Sequence, residues 1–292
     1  MATLRQLRDR VKSLKNTQQI TRAMKMVAGA RIRRAEQAMR AARPYAAALS
    51  QMLAELSSAS GNVDHPLLRV RAVARQGILL LTADKGLCGA FNANLVRTAQ
   101  SSARPVPQSA FYIAGLKGHV MLRRLPYDIV AHWPQLGVPF AERAGEIAAR
   151  ISDDFLGGRV DAVTLVSSRF VSTITQRPVA VPLLPVPKNA AGVEAAGPGS
   201  APRGAKNAFE FEPDRAAVLA ALLPKYLEFS IFQALLETQA SEFAARLLAM
   251  TNATDNAGKL IDEITLVMNN TRQASITKEI LEIVGGAEAL RA

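Results

Sequence analysis

Cysteine occurs once in these 292 residues, as Cys88, and histidine three times. A single thiol excludes an internal disulfide and any cysteine-based metal cluster, and it fits a reducing cytosol. His65, His119 and His132 lie at no metal-ligand spacing, so no metal or other cofactor is expected. Aromatic residues make up only 5% of the chain, and none interleaves with its most basic stretch, as a stacking platform for single-stranded nucleic acid would need. No run approaches about 18 apolar residues free of charge, so no membrane span is expected. The N-terminus lacks the apolar run and small-residue cleavage site of a secretory signal; its Arg-rich periodicity runs straight on and reads as mature structure. Neither G-x-x-x-x-G-K-[ST] nor G-x-G-x-x-G is present.

What is present is periodic. Leu4, Leu7, Val11 and Leu14 begin an alternating three-and-four spacing that continues through Gln18, Thr21, Lys25, Ala28, Ile32, Ala35, Met39, Ala42, Ala46, Leu49, Leu53 and Leu56. Near the other end two rows repeat every seven residues: Leu222, Phe229, Leu236, Phe243, Met250, Ala257, Ile264 and Thr271, with Tyr226, Gln233, Ala240, Leu247, Thr254, Ile261, Met268 and Ser275. Such rows define coiled-coil seams. At about 1.5 Å per residue each helix would span roughly 80 to 90 Å, so the two ends predict a long shaft. The seam is unusually polar, and Gln18 and Gln233 are expected to trade stability for register. Pro44 predicts a kink in the first helix, and Pro224, near the start of the last one, would break the ladder there unless it sits at the first helical position.

Charge is as unevenly spread. Twelve Lys or Arg against Asp9 and Glu36 lie within residues 1–43, so about +10 of the net +12 belongs to one helix, whereas nine acidic residues outnumber six basic ones beyond Pro224. The two helices attract. The basic run is either a solvated face or a contact for an acidic protein or nucleic acid.

The middle changes period. Gly77–Ala83, Phe111–Ala114 and Val160–Ser167 read as buried strands, separated by helical stretches at Ala90–Ala103, Leu116–Arg124 and Phe140–Phe155. Strands alternating with helices predict an α/β doubly wound, Rossmann-like domain, and Ser172–Val181 predicts a closing antiparallel strand. The resulting division is 1–60, N-terminal shaft helix; 61–76, linker; 77–187, α/β domain; 188–212, an Ala/Gly/Pro-rich loop with an aromatic foot; and 213–292, C-terminal shaft helix. Asp84–Phe91 occupies the position where dinucleotide folds bind phosphate, but Gly86 and Gly89 do not complete the fingerprint, so the loop reads as a structural turn and no direct nucleotide binding is expected.

Residues 16–28 (NTQQITRAMKMVA), 83–92 (ADKGLCGAFN), 249–257 (AMTNATDNA) and 272–280 (RQASITKEI) together resemble the γ subunit of the F-type ATP synthase, of bacterial type, in order and over nearly the whole chain. The resemblance implies an antiparallel coiled coil of the terminal helices inside a hexamer of three α and three β subunits. It places the α/β domain with the ε subunit on the c ring, at the cytoplasmic face of the cell membrane as a peripheral component. It implies a rotor without a catalytic centre of its own. Met24 and Lys25 would face the lever region of β, Arg272 and Gln273 would hydrogen-bond to a β-subunit loop, and Phe209 and Phe211 would form the foot near ε and the c ring. Met268 and Asn270 depart from the tyrosine and the basic residue that flank the asparagine, here Asn269, in the family before the Arg-Gln pair. Arg246 is expected to matter less than Arg272. The alternatives are a basic coiled-coil nucleic-acid binder and a nucleotide-binding Rossmann enzyme.

Overall fold

In the computed structural model the described residues are 3–59, 65–106, 108–134, 139–187 and 215–289. Helix α1 runs Leu4–Ala59 and is followed by a 3₁₀ turn at Pro66–Leu68. Then come β1 (Arg75–Leu81), α2 (Phe91–Ala103), β2 (Gln108–Ala114), α3 (Leu116–Leu122), β3 (Asp128–Trp133), α4 (Phe140–Leu156), β4 (Ala162–Phe170), β5 (Gln176–Leu184) and α5 (Arg215–Ala289). Contacts divide the chain into 29–246 and a second unit of 1–28 with 247–292. This division cuts through both long helices and does not follow chain order.

The larger unit holds a five-stranded sheet of order β3-β2-β1-β4-β5. All pairs are parallel except β4 with β5, as the alternating helices and the closing hairpin predicted. β3 was not foreseen. Only Ile129, Val130 and Ala131 in it are aliphatic, and it lies at the sheet edge with one residue exposed and five half-buried, so it lacks the apolar run of a strand buried on both faces. Along β1 and β2 the side chains alternate. Leu79, Leu81 and Tyr112 join Ile147, Ile151 and Phe155 of α4 and Leu223, Leu227, Ile231 and Leu235 of α5 on one face. Ile78, Leu80, Phe111 and Ile113 meet Phe91, Leu95 and Ala99 of α2 on the other. Within the same unit α1 runs antiparallel to α5: Ala35 and Met39 pack with Leu236 and Ala240, and the rings of Tyr45 and Phe229 lie 4.6 Å apart.

Both prolines lie inside continuous helices, so Pro224 is not at the first helical position. Each removes one N–H from the ladder, but Pro44, Pro224 and the residues four before them, Arg40 and Ala220, are exposed, where water can satisfy the freed carbonyl. By length and composition α5 contains a stretch apolar enough to cross a membrane, although no run of that length in it is free of charge. Its Leu219, Leu223, Leu227, Ile231 and Leu235 are buried in the sheet core.

One carboxylate on α5 is poorly accommodated. Glu237 borders a cavity of about 40 Å³ shared with Ser167, Arg169, Ser230 and Gln233, and burial pushes its pKa up despite Arg169, Gln233 and Arg43. Above the raised folded value both folded and unfolded chains carry the charge and the fold bears its desolvation. Below the unfolded value of about 4.3 neither does. Glu237→Gln is therefore expected to melt higher than wild type at about pH 8 and level with it at about pH 4. Equal melting at both pH values would disprove a buried, charged Glu237.

Candidate functional site

A doubly wound sheet binds ligands beyond the carboxyl ends of its strands, where the strand order reverses. Here that crevice lies between β1 and β4. The glycine loop leaving β1 is tied down at three points. The Asn92 Oδ1 accepts the Ala83 N–H at 3.0 Å, the Asn92 amide donates to Cys88 Sγ at 3.2 Å, and Asp84 Oδ1 accepts the Leu116 N–H at 3.0 Å. Leu87 and Gly89 take φ of 62° and 59°, the left-handed region that turns the chain sharply.

Helix α5 fills the crevice. The Ser168 N–H donates to Thr238 Oγ1 at 3.3 Å, and Ser241 Oγ donates to the Ser168 carbonyl at 3.4 Å. Arg246 Nη2 donates to the carbonyls of Lys85 at 3.4 Å and Gly86 at 3.1 Å, and Nη1 pairs with Glu242 Oε1 at 2.6 Å. A dinucleotide placed here would have to displace this polar cluster. The loop is thus a structural turn, as its incomplete fingerprint predicted, with an arginine as its occupant. Sequence reasoning gave Arg246 no structural role, yet its side chain is only 9% exposed. The signal was available in the sequence, since Thr238, Ser241, Glu242 and Arg246 form a polar stripe at helical spacing.

Cys88 is 2% exposed, and burial raises its pKa, with Arg246 opposing and Glu242 adding to the shift. A thiol held protonated is a poor nucleophile. Among the described residues no group of His, Cys, Asp and Glu could hold a metal ion.

In the second unit α1 and α5 again run antiparallel. Thr254 Oγ1 lies 2.8 Å from Thr21 Oγ1, and Gln18 Nε2 donates to the Thr254 carbonyl at 3.4 Å. A Cβ on Gly258 would stand 3.1 Å from Gln18 Nε2, so the glycine admits that side chain. Leu7, Val11, Thr21, Ala28, Met250 and Ala257 are buried, and Leu14, Gln18, Lys25, Ile261, Ile264 and Met268 are half-buried. The seam rows therefore fall at the interface as far as Thr271, and Ser275 is exposed. Met24 and Lys25 are both half-buried, while their neighbours Ile20, Met26 and Val27 are 60%, 67% and 52% exposed.

From Arg272 to Ala287 every residue is exposed. Arg272 and Gln273 begin this bare stretch, which also carries Ile276, Ile280, Leu281, Ile283 and Val284, between 48% and 71% exposed. The structure brings Arg272 and Gln273 together as neighbours but not with Met24 and Lys25. Phe209 and Phe211 lie outside the described residues.

A family model described as ATP synthase matches residues 3–290. The ATP synthase gamma chain of Desulforamulus reducens is 48% identical over 292 residues, covering 99% of this chain and 100% of the relative. That of Pelotomaculum thermopropionicum is 46% identical, with the same coverage. Among solved structures, the central stalk and c-ring structure of the Tetrahymena thermophila mitochondrial ATP synthase contains a chain that matches with TM-score 0.61 and 26% identity, over 80% of this chain and 99% of that one. A chain of the Euglena gracilis mitochondrial ATP synthase in rotational state 3 shares the fold at TM-score 0.66 and 20% identity, over 99% of this chain and 95% of that one.

Proposed function

We infer the mode of action from one premise: the chain belongs to the ATP synthase gamma chain family, the central stalk of the rotary enzyme. We propose that it works without a catalytic centre of its own, at the cytoplasmic face of a bacterial membrane, turning inside an α₃β₃ hexamer while its α/β domain rides with ε on the c ring. The observation that carries this reading is the stretch Arg272–Ala287, a helix segment with every residue exposed and with large apolar side chains between 48% and 71% exposed. A contiguous bare apolar surface on a water-soluble unit marks a binding surface, and a sleeve of α and β would cover it.

Rotation then acts by biasing states. Each β subunit meets a different side of an asymmetric shaft, so its open and closed forms are stabilised differently as the shaft turns, and nucleotide affinity follows. On this proposal Met24 and Lys25 face the lever region of β, Arg272 and Gln273 bond to a β-subunit loop, and Phe209 and Phe211 meet ε and the c ring.

A disulfide between Met24→Cys and a cysteine in the β lever tests the rotor. The locked complex is expected to lose ion-driven ATP synthesis and to regain it on reduction, whereas a lock at Ala289 is tolerated because the helix tip can unwind locally. Undiminished synthesis with the Met24 lock fully formed would refute rotation of this chain.

A further inference from the structure

We propose that Arg246 is a positioning residue for rotary coupling, a key by which α5 is fixed in the carboxyl-end crevice of the sheet so that torque on the α/β unit passes into the helix without slip. This rests on the rotor reading and specifies where that rotor resists twisting.

The apolar part of the α5 contact cannot do this alone. Leu219, Leu223, Leu227, Ile231 and Leu235 lie against the sheet core, and hydrophobic burial has no direction, so a helix on such a bed can turn between similar packings. Hydrogen bonds set an angle as well as a distance. Among the described residues, the side-chain hydrogen bonds joining α5 to the sheet and its loops are those of Thr238, Ser241 and Arg246. Two involve neutral hydroxyls at 3.3 and 3.4 Å. Arg246 is the charged member, and charge-assisted bonds are roughly twice as strong as neutral ones.

Its acceptors are built to hold still. Lys85 and Gly86 precede the left-handed residues Leu87 and Gly89, and the loop is pinned through Asn92, Cys88 and Asp84. One turn back, Glu242 orients the guanidinium with its Oε1. Burial raises the Glu242 pKa, and Arg246 opposes that rise; the pair is mutually dependent. Beyond Arg246, α5 continues without interruption to Ala289. The loop Asp84–Phe91, read from sequence as a structural turn, becomes the receptor of a mechanical contact.

The test uses the assembled ATP synthase in sealed vesicles, with ATP hydrolysis and ATP-driven ion uptake measured on the same preparation. Arg246→Met is expected to keep hydrolysis at saturating ATP within about twofold of wild type, leave KM for ATP unchanged, and lower ion uptake per ATP by about three- to tenfold. Arg246→Lys is expected to recover about half of that ratio, since an ammonium can still donate to one of the two carbonyls. Glu242→Gln preserves volume and hydrogen bonding, and is expected to lower the ratio by about twofold; it carries the test if Arg246→Met does not assemble. A structural role alone would reduce the amount of complex and both rates together, and a wild-type ratio in the assembled variants would overturn the proposal. Failure of the rotor reading is separately visible, as wild-type complex that couples ion uptake to hydrolysis without containing this chain.

Discussion

Alanine at Gly115 is expected to lower the melting temperature of the protein by about 6 to 12 °C, corresponding to a loss of about 3 kcal/mol or more. Gly115 joins β2 to α3 at φ 105° and ψ 140°, a conformation that residues with a Cβ rarely adopt. A Cβ there would stand 2.1 Å from the Thr82 carbonyl oxygen and 2.7 Å from its carbon. Both are backbone atoms at the end of β1, so no side-chain rotation relieves the overlap. The Gly115 N–H meanwhile donates to Trp133 O at 2.9 Å and the Thr82 N–H to Ala114 O at 2.8 Å. Relief would thus separate the carboxyl ends of β1, β2 and β3 and break bonds that fix the crevice. Gly286→Ala is the control, because nothing lies within 4 Å of a Cβ there and alanine favours a helix by about 1 kcal/mol. Thermal melts followed by circular dichroism decide the matter; a Gly115→Ala melt within about 2 °C of wild type would show that the loop can be rebuilt.

Arg272→Ala with Gln273→Ala is expected to leave the ATP synthase assembled while slowing multi-site turnover by about one to two decades. In this chain both side chains are exposed, so their removal should not disturb the fold. A charge-assisted bond from Arg272 to a β-subunit loop would be worth about 1.5 to 3 kcal/mol in whichever rotary state forms it. Losing it alters the spacing between states and not the nucleotide chemistry, so single-site ATP binding is expected to stay near normal. Lys259→Ala, exposed on the same helix, is the proper control. Arg246 cannot serve, because it holds α5 to the glycine loop and is itself proposed to act in coupling. Turnover at the wild-type rate in the intact double variant, at saturating ATP, would show that the contact is not used. Met268, half-buried on the seam side of α5, would then be the first departure to examine.

The long helices were legible because a seam needs only local information. Leu7, Val11, Ala28, Ile32, Leu49 and Leu53 recur with the helical period, and the same positions are buried. The parallel strands were legible for a similar reason, since β1, β2 and β4 are short apolar runs followed by turns. β3 was not, because an edge strand needs less apolar surface and carries less signal. Even the motifs behind the family resemblance are local runs of ten or so residues.

The sequence by itself therefore determined two long helices, a central α/β fold, a one-sided charge distribution and family membership. Tertiary structure alone decided what the glycine loop is for. Arg246 and Gly86 are 160 residues apart, and no periodicity links a carbonyl in a strand-to-helix turn to a guanidinium on a distant helix. The same holds for Glu237, whose charge is costly only because the fold buries it beside Leu165, Val181 and Leu183 of the sheet, a cost that Arg169 and Gln233 offset only in part. Period and composition record which face of an element avoids water. Which polar groups must then find one another depends on how those faces meet, because a buried donor has to be satisfied by whatever the fold brings within about 3 Å.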